Sequence, residues 1–91
     1  MKIHDLKCWP VYFQSTVEGA KKFEDRQNDR NYHVGDLLWL REWEPKTQAY
    51  TGRTLMVRVD YILPDDPQIP VFGKAIMSIT KVTLEVTEVK S

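Results

Sequence analysis

The centre of the chain carries an apolar side chain at every second position over nine residues, and this regularity constrains the fold more than any other feature. The positions that share the pattern are Leu55, Val57, Val59, Tyr61 and Leu63. Because successive side chains of a β-strand point to opposite faces of its sheet, a period of two predicts a strand with one buried face. The pattern therefore predicts a half-buried strand over residues 54–63, with Tyr61 in the core.

Shorter extended segments lie on both sides of this strand. Residues 6–9 form one of them, and an apolar run over residues 37–44 forms another, with Trp39 assigned to the core. That run ends at residues 45–48, which predict a hairpin loop. Residues 75–86 are rich in Ile, Val and Thr. They predict one long strand or two joined by a bend, with the even-numbered side chains sharing the apolar face.

One helix is predicted near the N-terminus, over residues 10–18. Pro10 suits the first helical position, because the N–H that proline lacks would have no partner there. Phe13 and Val17 lie one turn apart, and we expect them to pack the helix against the rest of the domain. Gly19 then supplies the stop signal after the last turn.

Residues 22–28 are predicted to form a strand in which only Phe23 is apolar. On such a strand Glu24 and Arg26 project from one face, while Phe23 and Asp25 project from the other. A strand this polar must line either solvent or a polar cleft. Turn residues at 28–31 and 34–36 separate it from the next strand.

The elements together predict the fold class. Three prolines at positions 64, 67 and 70 interrupt regular structure before the last strand. The remaining segments give five or six short strands and one helix in 91 residues, which is enough for one domain over residues 1–91. The predicted class is mostly β (α+β). A small closed or nearly closed barrel is favoured, because closure removes exposed sheet edges.

Composition narrows the classes of function. Thirteen basic and thirteen acidic residues cancel, which argues against an indiscriminate polyanion binder. Residues 21–58 nevertheless hold eight Lys and Arg against six Asp and Glu, which permits a local phosphate-facing patch. Cys8 is the only cysteine, so an internal disulfide and a cysteine-based zinc site are excluded, and a buried apolar role is favoured. No metal or other cofactor is expected, because His4 and His33 lack a matching carboxylate motif.

Targeting signals are not apparent in the sequence. No apolar run approaches the roughly 18–20 residues that a membrane span requires. The first residues lack the long apolar stretch of a secretory signal. A cytoplasmic protein without a membrane partner is the expectation.

The chemistry of the chain concentrates at residues 19–26, which read G-x-K-x-x-E-x-R. Glu24 and Arg26 share one strand face with their bases roughly 7 Å apart, and Lys21 stands where the helix ends. A carboxylate flanked by two cations can accept from the exocyclic amine of a base, while the cations meet phosphate. The alternative is a solvated ladder of salt bridges, worth less than about 1 kcal/mol.

With its neighbours, this segment resembles the ASCH domain family, a branch of the PUA-like β-barrels associated with RNA. Within that family it resembles a small bacterial and phage subfamily of unknown function. The resemblance covers residues 4 to about 63. The segments that carry it are His4-x-Leu6-Lys7, Lys21 to Arg26, Asn28-Asp29-Arg30, Val34-Gly35-Asp36, Arg41-Glu42-Trp43 and Tyr50-Thr51-Gly52-Arg53.

The resemblance favours a module that binds RNA, another single-stranded nucleic acid or a modified nucleotide. Lys21, Arg26 and Arg53 would neutralise phosphate, and Glu24 would read an amine. Asn28 and Arg30 suit a turn first and a ligand contact second, while Trp43 and Tyr50 flank the hairpin as either a stacking platform or loop packing. The full set of nucleic-acid-binding candidates is His4, Lys7, Lys21, Glu24, Arg26, Asn28, Arg30, Tyr50 and Arg53.

Two other functions remain open. Some ASCH proteins look like amidohydrolases acting on N4-acetylcytidine; they keep the lysine and place a threonine nucleophile where this chain has Glu24. Lys21 and Glu24 would then be the catalytic pair. However, residues 64–74 are too short and too rich in proline for the helix that carries the acidic partner in those enzymes. Binding is therefore favoured over catalysis. A protein-interaction adaptor is the third hypothesis, compatible with the near-neutral charge and the loop at 64–70.

Overall fold

The computed structural model describes residues 1–64 and 73–82, and within them five strands form a single curled sheet accompanied by one short helix. The elements are β1 Ile3–Cys8, α1 Pro10–Val17, β2 Phe23–Gln27, β3 Leu37–Glu44, β4 Ala49–Leu63 and β5 Lys74–Lys81. The strand order is β1-β3-β4-β5-β2, with β1 and β3 parallel and every other pair antiparallel. The predicted mostly β class is confirmed, and the sheet is a half-barrel.

Two arginine side chains span the gap between the ends of the sheet, β1 and β2. Nη1 of Arg26 donates to the carbonyl oxygen of Lys7 at 2.9 Å, and Nη1 of Arg30 donates to that of Asp5 at 2.8 Å. These guanidinium groups contact backbone acceptors that a neighbouring strand would otherwise use. The half-barrel is therefore drawn together by side chains where its strands are not paired.

The core lies on the concave side of the sheet, where inward-facing residues of four strands meet the helix. On β4, Val57 and Val59 are fully buried, as the alternation predicts. The register of β4 against β5 then shifts between Val59 and Tyr61. This irregularity reverses the facing of the residues that follow, so Ile62 packs against the core while Tyr61 is 46% exposed. The prediction that Tyr61 is a core residue was wrong for that reason.

Trp39 also departs from its predicted place. It lies on β3 between Leu38 and Leu40, which are both fully buried. Strand alternation therefore turns Trp39 to the outer face, where it is half-buried. An uninterrupted apolar run concealed this alternation in the sequence.

The last described strand has the opposite facing from the predicted one. The odd-numbered residues Ala75, Met77 and Ile79 are buried, because the register sets Met77 directly across from the buried Glu24 on β2. Both faces of this segment carry apolar residues, so alternation alone did not identify the inner one. The part of the prediction beyond residue 82, and the proline-rich loop from residue 65, lie outside the described residues.

The helix and the hairpin agree closely with the sequence. The helix begins at Pro10 and ends at Val17, with Phe13 buried and Val17 partly buried against the core. Gly19 follows with φ +84°, a conformation that favours glycine. The loop between β3 and β4 falls at residues 45–48 as predicted. In the described part of the chain, no helix has the length and apolarity to cross a membrane.

Candidate functional site

A cleft of about 580 Å³ opens between the two ends of the sheet. One wall consists of the end of β1 and the start of α1. The other consists of β2 and Lys21, which lies just before β2. The lining residues are Lys7, Cys8, Trp9, Tyr12, Lys21, Phe23, Glu24, Asp25 and Arg26. The cleft therefore lies where the chain turns from strand to helix and returns as the polar strand.

Glu24 lies at the bottom of this cleft, with its side chain only 3% exposed. Its Oε1 accepts from Nε of Arg26 at 2.8 Å, and its Oε2 accepts from Nζ of Lys21 in a short contact. Alternation along β2 directs Glu24 inward, towards Met77 on the adjacent strand. The three residues therefore converge on a buried carboxylate and do not form a solvated ladder. A buried carboxylate is stable only when it is paired and hydrogen-bonded, and here both oxygens are.

Lys21 and Glu24 retain hydrogen-bonding capacity for a ligand. Lys21 uses one N–H for Glu24 and another for the carbonyl oxygen of Phe23 at 2.7 Å, so one of its three ammonium protons has no acceptor among the described residues. Each Glu24 oxygen accepts one bond from the described residues and has a second lone pair. A donor and an acceptor therefore stand side by side at the bottom of the cleft.

Three large aromatic side chains form the rim. Trp9 and Tyr12 are each 54% exposed, and Phe23 is 49% exposed. Sequence reasoning assigned Trp39 and Tyr61 to the core, left Trp43 and Tyr50 open, and missed these three. The signal that identifies Phe23 is its position beside Glu24: if the carboxylate faces inward on a strand, its neighbour faces outward. Trp9 and Tyr12 bracket the helix start and are turned outward because Phe13 occupies the inward position.

Cys8 also lines the cleft, but it is buried, as the sequence predicts. Burial raises the pKa of the Cys8 thiol to about 11, and the nearby Glu24 carboxylate adds to the effect. At neutral pH this group is therefore a thiol and not a thiolate nucleophile.

His4 belongs to a separate, structural cluster. Its Nε2 lies 2.9 Å from Oδ2 of Asp36, and its ring packs against Tyr32 with centroids 4.7 Å apart. Burial raises the pKa of Asp36, but hydrogen bonds from His4 and from the backbone N–H groups of Lys2 and His33 outweigh it and lower the pKa to about 2. These contacts join β1 to the turn before β3.

The remaining predicted residues lie outside the cleft lining. Arg53 donates to Oε1 of Gln14 at 2.9 Å and stands over the ring of Phe13, so it joins β4 to the helix. Asn28 is exposed, and Arg30 contacts β1 as described above. Tyr50 packs edge-on against Trp43 with centroids 5.0 Å apart. The structure thus brings together Lys7, Lys21, Glu24 and Arg26, and places His4, Asn28, Arg30, Tyr50 and Arg53 elsewhere.

Comparison with known proteins identifies a family and a relative. A family model described as "Domain of unknown function (DUF3850)" matches residues 3–79. A curated protein of Escherichia phage P2, described as "Uncharacterized 12.9 kDa protein in GpA 3'region", is 43% identical over 58 residues, which are 64% of this chain and 51% of that protein. The chain thus spans about half the length of this relative. The family match runs from the first residue of β1 into β5 and contains the whole cleft.

Proposed function

This chain belongs to the family described as Domain of unknown function (DUF3850), and from that premise we propose that it binds RNA or another single-stranded nucleic acid by taking one unstacked base into the cleft. The observation that carries the proposal is the buried carboxylate of Glu24 at the bottom of an open cleft with an aromatic rim. The resemblance to ASCH domains, which are PUA-like barrels associated with RNA, supports the same function.

The dimensions and lining of the cleft suit a base. A volume of about 580 Å³ falls in the range of small-molecule pockets, which combine apolar walls with a few polar groups. Trp9, Tyr12 and Phe23 expose ring surface at the entrance. Single-stranded nucleic acids are bound in this way, because every unstacked base offers a π-face to an aromatic side chain.

The polar groups at the bottom supply a preference among bases. The free lone pairs of Glu24 suit an exocyclic amine, and the remaining N–H of Lys21 suits the ring nitrogen beside it. Cytosine and adenine present that pair of groups on their pairing edges, whereas uracil presents no amine. We therefore expect cytosine-rich or adenine-rich strands to bind more tightly than uracil-rich strands.

The hydrolase hypothesis receives less support from the same geometry. Both oxygens of Glu24 already accept hydrogen bonds from cations, which lowers their reactivity as nucleophiles. A second nucleophilic group in the lining, the thiol of Cys8, has a raised pKa. Both features favour recognition over covalent chemistry.

The test is fluorescence anisotropy with labelled ten-nucleotide strands of cytosine, adenine and uracil, titrated with native chain and with Tyr12→Ala. Loss of a stacking side chain costs about 1–3 kcal/mol per base, so Tyr12→Ala is expected to weaken binding about 5- to 150-fold. Tyr61→Ala is the matched control, since Tyr61 is comparably exposed at 46% and is not part of the cleft lining. Absence of binding to all three strands, or equal affinities for the two variants, would show the proposal to be wrong.

A further inference from the structure

A second group of aromatic and basic side chains lies on the outer face of β1, β3 and β4, and we call it the outer aromatic surface. Its members are Lys7, Trp39, Arg41, Trp43 and Tyr50. Alternation along β3 directs three of them outward, because the alternate residues Leu38, Leu40 and Glu42 are buried. The register sets Lys7 opposite Arg41 and Trp43 opposite Tyr50, so the side chains of three strands meet in one patch.

Each ring in this patch has a cation or another ring beside it. Nζ of Lys7 lies 3.9 Å from the centre of the Trp43 ring, and Cζ of Arg41 lies 3.9 Å from that of Tyr50. Arg41 also stands 4.8 Å from the Trp39 ring. Tyr50 nevertheless remains 40% exposed. The patch therefore offers ring surface and positive charge together, which is the combination that single-stranded nucleic acids bind.

Lys7 connects this surface with the cleft. It lines the cleft on one side and contacts the Trp43 ring on the other. Arg41 has a carboxylate partner, Asp5, at 3.1 Å, whereas within residues 1–64 and 73–82 no carboxylate lies within ion-pair distance of the Lys7 ammonium. Lys7 is therefore a cation at the junction whose charge is available to a phosphate.

We propose that a nucleic-acid strand whose base occupies the cleft passes its next phosphate over Lys7 and stacks the following base on Tyr50. The proposal rests on the function proposed above and specifies its ligand: a strand of at least two nucleotides, and not a free nucleotide. An unbroken series of contacts leads from the cleft to Tyr50 and supports the proposal. Lys7 lines the cleft and contacts the Trp43 ring, and the Trp43 ring contacts Tyr50.

The experiment compares cytidine monophosphate with a cytosine tetranucleotide by calorimetric titration of the full chain. Native chain is expected to bind the tetranucleotide at least about tenfold more tightly. Tyr50→Ala is expected to reduce tetranucleotide affinity about tenfold and to leave monophosphate affinity unchanged, while Tyr50→Phe, which keeps the ring, retains tetranucleotide binding. Circular dichroism verifies that each variant is folded.

The role of Lys7 is tested by the salt dependence of tetranucleotide binding. Each phosphate contact with a single strand contributes about 0.7 to the slope of log affinity against log salt, so Lys7→Ala is expected to reduce that slope by about 0.7. Lys2→Ala is the matched control, because Lys2 is an exposed lysine immediately before β1 and outside the cleft lining. It is expected to leave the slope unchanged.

The outcomes separate this inference from the function on which it rests. If monophosphate and tetranucleotide bind equally, or if Tyr50→Ala weakens both alike, the outer aromatic surface does not hold a second nucleotide, although the cleft still binds a base. An equal loss of salt slope in the two lysine variants also contradicts it. If neither ligand binds, the proposed function itself is wrong.

Discussion

Replacing Glu24 by glutamine removes the charge at the bottom of the cleft and nearly preserves its shape. Hydrogen bonds to charged groups contribute about 1.5–3 kcal/mol each, and Glu24 makes two, with Lys21 and Arg26. The side chains of these partners are 16% and 23% exposed, so water recovers part of the loss, and the glutamine oxygen keeps one of the two bonds. We expect the free energy of unfolding to fall by about 2 kcal/mol, below the 3–5 kcal/mol typical of a broken fully buried pair.

For a chain of 91 residues, an unfolding entropy of about 2.1 cal/mol/K per residue converts this loss into a fall in Tm of about 10 °C. Urea unfolding followed by tryptophan fluorescence measures the free energy, and calorimetry measures the Tm. Asp25→Asn is the matched control: it removes the same charge one residue away, but Asp25 is 43% exposed and pairs with Lys74 on the outer side. Its expected effect is within about 0.5 kcal/mol. Equal effects of the two substitutions would refute the structural role assigned to the buried carboxylate.

Three further outcomes are expected. The folded pKa of Asp36 is about 2 and its ordinary value is 3.8, so its contribution of about 2 kcal/mol to the free energy of unfolding is present above pH 4 and lost as pH falls towards 2. Asp36→Asn should lack this pH-dependent contribution when urea midpoints are compared between pH 4 and pH 2. An unchanged pH profile in the variant would contradict this assignment. The raised pKa of Cys8 should slow its alkylation at pH 8 about a hundredfold relative to the unfolded chain, as mass spectrometry can measure, and equal rates would count against burial. Arg30→Ala should destabilise the domain by about 1 kcal/mol and increase amide exchange in β1, whereas unaltered exchange would show that this arginine does not hold the strand.

Much of the fold could be predicted from the alternation of apolar residues and from the turn residues. Pro10 and Gly19 define the limits of the helix, and the central strand is identified by its period of two. Alternation assumes an unbroken register, however, and the shift after Val59 reverses the facing of Tyr61 without any glycine or proline to announce it. Such a shift in register depends on how two strands pair, so the sequence of one strand does not predict it.

Only part of the candidate site could be predicted from the sequence, for a related reason. Lys21, Glu24 and Arg26 are close in sequence, so local geometry was enough to predict that they converge. Trp9 and Tyr12 come from another element, and only the curl of the sheet brings them opposite β2. Sequence reasoning therefore did not place either of them at the site. Because Glu24 faces the core of the sheet, its neighbour Phe23 faces outward. Local hydropathy predicts the reverse, with the phenylalanine inside and the carboxylate outside.

The contacts of Arg26 on β2 and of Arg30 in the turn after it with β1 have a consequence for how molecules of this chain meet each other. A β-strand at the end of a sheet offers free carbonyl groups to any extended segment, including the same strand of a second molecule. Here the carbonyls of Asp5 and Lys7 are already occupied by guanidinium groups of the same chain. An incoming strand would have to displace both before it could pair. The contacts that draw the half-barrel together therefore also protect it against edge-to-edge aggregation.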